Sequence, residues 1–271
     1  MTLTFTILGC GSSGGVPRPG LGWGDCDPQN PKNRRRRTSL LVERRNTAGA
    51  TTRILVDTSP DLREQLLDAE ISWLDGVLYT HAHADHVHGI DDLRALVLHK
   101  HRRINVYLDA VTSQLLRSRF DYCFATPPGS EYPPILAEHR IVANQPVTIE
   151  GEGGSITALP YLQQHGGIST LGFRFGALAY SCDISGLPAE SQALLVGLDV
   201  WILDALRHRP HPSHFSLSEA IAWVERLKPK RAILTNLHSD LDYDALRQQL
   251  PAHVEPAFDG LKIVSAAASP C

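Results

Sequence analysis

A mixed α/β (α+β) fold, with strands and helices interleaved along one chain, is what this sequence predicts, and three observations carry the expectation. Short apolar runs at Thr4–Leu8, Arg53–Asp57, Asp75–Tyr79, Ile104–Leu108 and Ala232–Thr235 have the length and composition of buried strands. Between them, apolar residues fall at helical spacing, as in Leu62, Leu66 and Leu67, and Ser216-Leu217-Ser218-Glu219 has the form of a capping box. A chain of 271 residues with 42% hydrophobic content is long enough to bury a full core. No linker-like tract or fixed-period repeat divides it, so residues 1–271 read as one domain.

Taken in order, Thr4–Leu8 is the first strand. Gly9, Gly11 and Gly14 after it formally satisfy GxGxxG, yet Val16-Pro17-Arg18-Pro19-Gly20 cannot start the helix that dinucleotide binding requires, so that reading is rejected. Arg34 to Arg37 precede the β-like stretch Thr38–Glu43. They form either a charged strand edge or a source of guanidinium groups for phosphate, with Arg35 and Arg37 the candidates for substrate binding. The turn-prone Asn46–Gly49 joins that strand to Arg53–Asp57 as a hairpin, and Pro60 and Asp61 open a helix. Ile90–His99 and Val111–Phe120 are helical in pattern. Ala125–Pro134, with four prolines, is an irregular loop and a candidate wall for an active site. Ser155–Leu159 is a strand, followed by a loop holding His165, and Leu171–Cys182 a hairpin.

Residues 81 to 86 carry the chemistry. His81, His83, Asp85 and His86 form HxHxDH at the end of the apolar run Asp75–Tyr79. So many imidazoles and carboxylates are costly beside a core unless a cation binds them. His81 and His83, two apart in an extended chain, face one way and suit one metal; Asp85 and His86, after the turn into a helix, suit a second beside it.

This motif, followed by Gly89, resembles the metallo-β-lactamase superfamily. The likeness is greatest to its phosphodiesterase branch, which holds the phosphoribosyl cyclic phosphodiesterase of phosphonate breakdown and the tRNA-processing endonuclease. The resemblance implies a four-layer αββα sandwich with the metals at one edge. It also assigns the remaining ligands. His165 joins His81 and His83, and Asp183, in the context Asp183-Ile184-Ser185-Gly186-Leu187-Pro188, bridges the two ions. Many relatives place the last histidine directly after the threonine, where this chain has Asn236. His238, two residues on and on the same side of an extended chain, is therefore taken as ligand to the Asp85/His86 metal. Asp57, at a strand end, is expected to orient a ligand histidine or loop backbone. A structural zinc site like that of the phosphonate-pathway relative is not expected, because the first loop offers only Cys26.

The implied cofactor is a pair of divalent ions, zinc or manganese, and the implied enzyme a dinuclear hydrolase in which a metal-bridged hydroxide attacks phosphorus. Asp85 is expected to accept a proton from the water. His214, just ahead of the capping box, is expected to contact phosphate or act as general acid, with His208 and His211 read as solvent-facing. His99, His101 and His139 lack neighbours at ligand spacing and read as exposed or packed.

The function expected is hydrolysis of a small phosphodiester, a cyclic ribosyl phosphate or nucleotide. The alternatives are a tRNA 3′-processing nuclease and a non-hydrolytic metal-binding or cofactor-biosynthesis member of the superfamily. A net charge of −3 and the lack of a basic arm argue against long nucleic acid as a partner. Five scattered cysteines without CxxC spacing, Cys10, Cys26, Cys123, Cys182 and Cys271, point to a reducing compartment. With no signal-like N-terminus and no run near the ~20 apolar residues that span a bilayer, a cytoplasmic protein without membrane contact is expected, and a homodimer stays open.

Overall fold

The computed structural model describes residues 2–266, and Cys271 lies outside them. The strands are β1 Thr2–Gly9, β2 Ser39–Arg45, β3 Thr51–Val56, β4 Gly76–Leu78, β5 Ile104–Leu108, β6 Leu136–Arg140, β7 Val147–Ile149, β8 Ile156–His165, β9 Ile168–Phe175, β10 Leu178–Ser181, β11 Val200–Asp204, β12 Arg231–Thr235, β13 Val254–Pro256 and β14 Lys262–Ala266. The helices are α1 Leu62–Asp68, α2 Ala84–Val87, α3 Leu93–Lys100, α4 Ala110–Arg119, α5 Asp121–Phe124, α6 Ala189–Leu194, α7 Leu217–Leu227 and α8 Tyr243–Gln249. Two seven-stranded sheets result, in the orders β14-β1-β2-β3-β4-β5-β6 and β13-β12-β11-β10-β9-β8-β7.

Strand alternation dictates the layering. Leu40, Val42, Ile54, Val56 and Leu78 point inward and meet Phe173, Phe175, Tyr180, Ile202 and Ile233 of the other sheet in a central core. Their odd-numbered counterparts Leu41, Leu55 and Val77 point the other way, against Leu62, Leu66, Leu93, Leu96 and Leu116 of α1, α3 and α4. On the second sheet Trp201, Leu203, Ala232 and Leu234 likewise turn outward onto Ala220, Val224 and Leu246 of α7 and α8. Each sheet is thus apolar on both faces and covered on its outside by helices, the expected four-layer αββα order. Among the described residues, no helix is long and apolar enough to cross a membrane.

β3, β4 and β5 run parallel, as do β10, β11 and β12. Parallel strands present their carboxyl ends at the same side, where crevices for ligands form. Three of those ends turn on a single residue with positive φ: Asp57 after β3 (63°), Asp183 after β10 (50°) and Asn236 after β12 (62°). Asp and Asn tolerate this left-handed region better than other side chains.

Two expectations are corrected. The chain around His165 is strand rather than loop, because Pro160–His165 continues β8 in register with β9 as far as His165↔Ile168. The irregular Ala125–Pro134 segment does not wall the site described below. Its Pro127, Ser130 and Tyr132 line a separate hollow with Arg94 and Tyr122.

Candidate metal centre

β4 ends at Leu78, and the chain runs on through Tyr79, Thr80, His81 and Ala82 to His83, the residue that starts α2. His81 and His83 therefore leave from extended backbone, whereas Asp85 and His86 lie on the first turn of α2. The sequence anticipated this change of conformation within the motif. His165 arrives from the end of β8, and Asp183 from the turn after β10. One donor atom each from His81, His83, His165 and Asp183 lies within 4.8 Å of the others, and so do those of Asp85, His86 and Asp183. Asp183 belongs to both sets. Its Oδ2 lies 3.6 Å from His81 Nε2 and 3.5 Å from His165 Nε2, and its Oδ1 lies 3.3 Å from His86 Nε2.

Proton bookkeeping shows what this cluster lacks. His86 Nδ1 donates to Asp57 Oδ2 at 2.8 Å, and His165 Nδ1 donates to the Ser213 carbonyl at 2.6 Å. The Thr80 hydroxyl donates to Asp57 Oδ2 at 2.7 Å, so its oxygen accepts from His81 Nδ1 at 3.0 Å. Each of these rings has spent its N–H on the far side and turns a bare Nε2 lone pair toward carboxylate oxygens. The buried Nε2 atoms of His81 and His86 have no hydrogen-bond partner. Lone pairs gathered on lone pairs repel, and a cation between them removes the repulsion. Both donor sets thus fit a divalent ion.

The electrostatics agree. Burial opposes a proton on His86, yet the Asp183 and Asp85 carboxylates outweigh it and raise its proton affinity well above the usual range. Burial and the neighbouring His86 push His81 the other way. Asp183 is held well below the usual carboxylate range because His86 and His81 overcome the cost of its burial. The negative potential is greatest beside His86, between the Asp183 and Asp85 carboxylates, where a cation is best accommodated.

Asp57 sits where the sequence placed it, fully buried, accepting from His86, from the Thr80 hydroxyl and from the Thr80 amide at 2.8 Å. It fixes the tautomer of His86 directly and that of His81 through Thr80. Asp57→Asn should weaken ion binding about 10- to 100-fold with the fold retained, measured by competition with a chromophoric chelator. Unchanged affinity would show that His86 is oriented by packing alone.

His214 stands ahead of α7, whose capping box is present as anticipated. Its Nδ1 bonds Asp204 Oδ2 at 2.7 Å, and its Nε2 lies 4.0 Å from Asp183 Oδ2. Against the effect of burial, the hydrogen bond and charge of Asp204 raise its pKa to about 9. Asp204, at the end of β11 and completely buried, escaped the sequence reading. The signal available was its place as a carboxylate closing the apolar strand Val200–Asp204, the same context that marked Asp183.

Three candidate residues are placed otherwise than expected. His238 does not join Asp85 and His86. Its Nε2 meets the Arg18 guanidinium and its Nδ1 lies 3.2 Å from Asp240. The parity of an extended chain fails because Asn236 is left-handed, so that Asn236 itself points at the centre, donating from Nδ2 to Asp183 Oδ1 at 2.9 Å. Arg35, 2% exposed, donates to the carbonyls of Leu241 (2.7 Å) and His238 (3.2 Å), tying the C-terminal loop to the first one. Arg37 pairs with Asp61 at 3.0 Å. Neither arginine lines the cavity beside the donors.

The rim is built from other groups. A cavity of about 170 Å³ beside the donors is lined by Ser12, Ser13, Arg18, Asp85, Leu206, Arg207, His211, His214 and His238. His211 is therefore a pocket residue rather than a solvent-facing one. Arg18 comes from the glycine-rich loop, where a Cβ on Gly14 would run into its guanidinium, so this loop's glycine serves an arginine rather than a nucleotide. His139 stacks on Tyr107 and bonds Asn105, away from the donors, as an exposed histidine.

The model of the β-lactamase superfamily domain matches residues 52–236, from β3 to the Asn236 turn. The chain belongs to that superfamily. Among superfamily structures, a diphosphatase of the PhnP family is 35% identical with a TM-score of 0.88, over 99% of this chain and 99% of that one. The match puts the chain in the PhnP family. The human short-form tRNase Z is similar in fold, with 17% identity and a TM-score of 0.61 over 96% of this chain and 98% of that one. A Porphyromonas gingivalis protein named octanoyltransferase is 34% identical over 263 residues, 95% of this chain but 51% of that protein. The chain thus spans about half the length of that relative.

Proposed function

We propose that this superfamily member is a metal-dependent hydrolase of a small phosphodiester, a cyclic ribosyl phosphate or nucleotide, using two divalent ions, zinc or manganese. The observation that carries the reading is Asp183, whose two oxygens are shared between adjacent donor sets under a rim of positive groups. Bound divalent ions would supply Lewis acidity toward a phosphoryl oxygen and an attacking water. The remaining work falls to the chain. Arg18 and Arg207 favour an anion at the pocket mouth. Asp85, 3.6 Å from His86 and lining the pocket, accepts the proton of the attacking water. Asp204 fixes the His214 ring so that Nε2 faces the reacting group and donates a proton to the leaving oxygen.

The small cavity and the net charge of −3 favour a compact substrate over tRNA. The PhnP-family relative, named a diphosphatase, supports a second reading, in which the bond broken is a phosphoanhydride. The octanoyltransferase name finds no support in this pocket, where Leu206 is the one aliphatic lining residue.

The test is turnover by metal-reconstituted protein on bis(p-nitrophenyl) phosphate, a 2′,3′-cyclic nucleotide and a nucleoside diphosphate ester. Preference for the cyclic diester supports the first reading, and preference for the anhydride the second. Inertness toward all three sinks both. A steep loss of activity between low and moderate salt would point back to a polyanionic substrate such as tRNA.

A further inference from the structure

Arg18 and Arg207, whose guanidinium groups line the cavity, make no ion pair among the described residues. Arg207 is held by carbonyls of its own loop, donating from Nε to Arg209 at 3.1 Å and from Nη2 to Pro210 at 2.9 Å. Arg18 is held differently. Its Nη1 bonds His238 Nε2, and its side chain lies so close over Gly14 that a Cβ there would overlap the guanidinium. A guanidinium only donates, so His238 Nε2 is the bare acceptor and the ring proton sits on Nδ1. Nδ1–H then donates to Asp240 Oδ1 at 3.2 Å, and Asp240 Oδ2 accepts from the His208 N–H at 3.2 Å. The His238 backbone is anchored on both sides, its N–H by the Leu206 carbonyl at 2.9 Å and its carbonyl by the buried Arg35 at 3.2 Å. Asp240 thus fixes the tautomer, Leu206 and Arg35 fix the position, and the imidazole lone pair aims Arg18. A carboxylate in that place would cancel the charge of Arg18 before any ligand arrived. A neutral imidazole orients the group without cancelling it, and leaves the remaining N–H groups free for the bidentate grip that guanidinium makes on phosphoryl oxygens. His238 belongs to neither donor set, so its ring is available for this task.

We infer that Arg18 is a substrate-binding residue at the pocket mouth and that His238 and Asp240 are its positioning residues, an imidazole–carboxylate relay that aims the guanidinium at a phosphoryl oxygen of the substrate. The inference rests on the reading of this pocket as a phosphoester site, and it gives His238 a role that needs no ion. The relay acts on binding rather than on bond breaking, so its loss falls on KM and on anion affinity, not on ion content. His238 works only through Arg18, and removing it matters only while Arg18 is present.

The experiment is a double-mutant cycle on the metal-reconstituted full-length protein, with Arg18→Ala, His238→Leu and the two combined, and with His238→Gln as the conservative variant. KM and kcat are measured on a 2′,3′-cyclic nucleotide, binding of inorganic phosphate by calorimetry, and bound metal by elemental analysis. Arg18→Ala should raise KM and weaken phosphate binding by roughly 10- to 100-fold, the scale of one hydrogen-bonded contact to a charged group, with a much smaller change in kcat and unchanged metal content. His238→Leu should act in the same direction by about threefold or more, and the combined variant should be no weaker than Arg18→Ala alone. His238→Gln, whose amide oxygen still accepts from Arg18, should bind phosphate close to the wild-type level. Unchanged KM and phosphate affinity in Arg18→Ala, or losses confined to kcat, would overturn the binding role of Arg18. Additive losses in the combined variant, a His238→Gln protein as weak as His238→Leu, or reduced metal content in His238→Leu would overturn the relay. Wild-type protein that hydrolyses no ester would sink the hydrolase reading, and the phosphate titrations would still decide the role of Arg18.

Discussion

Asp183→Ala should abolish hydrolysis, lowering kcat/KM by roughly 10³-fold or more, at or beyond the loss typical of deleting one electrostatic stabiliser. The expectation follows from the sharing of one carboxylate by both donor sets, so that a single truncation weakens both positions and removes the negative charge that lets two cations lie close. It also leaves His81, His86 and His165 facing one another without a counter-charge. His83→Ala is the companion variant. His83 is exposed, so its loss spares the core while taking a donor from the first set alone. Circular dichroism and thermal unfolding without metal should give wild-type curves for His83→Ala, and elemental analysis should find less bound metal in both variants. Near-normal turnover by either would refute the assignment of the centre.

His214→Ala should lower kcat by roughly 10²- to 10⁴-fold on substrates with alkoxide leaving groups, the range of a lost general acid. On nitrophenyl esters, whose leaving group departs without a proton, the loss should be much smaller. The contrast between substrates is the readout. Equal losses on both would make His214 a phosphate-positioning residue instead. Asp204→Asn should reproduce the same contrast in weaker form, because Asp204 acts only through the imidazole it holds at 2.7 Å.

Both experiments probe residues whose legibility in the sequence differs. The HxHxDH segment announced itself because all its donors fall within six residues, so local backbone geometry alone brings them near one another. Asp57 was reachable because it closes an apolar strand, whereas His165 and Asp183 were reached through the family resemblance, with their places after apolar strands in keeping with it. His214 was found beside a capping box, a purely local signal. Arg35 and Arg37 were misread because charge in a sequence does not reveal its partner. Only the folded chain shows Arg35 spent on two carbonyls and Arg37 on Asp61, while Arg18 and Arg207 take the rim. His238 was misread for a sharper reason, since one left-handed residue reverses the side on which everything after it emerges.

Apart from what the family resemblance implied, the αββα layering and the donors beyond the first motif, the sequence by itself determined the main strands and helices and the HxHxDH donors. These are consequences of periodicity and of donor chemistry, both of which are written locally. Only the tertiary structure decided which of Asn236 and His238 faces Asp183, which arginines meet the pocket, and that Asp204 holds His214. Each depends on the meeting of segments far apart in sequence, and on a φ angle that residue type permits without compelling.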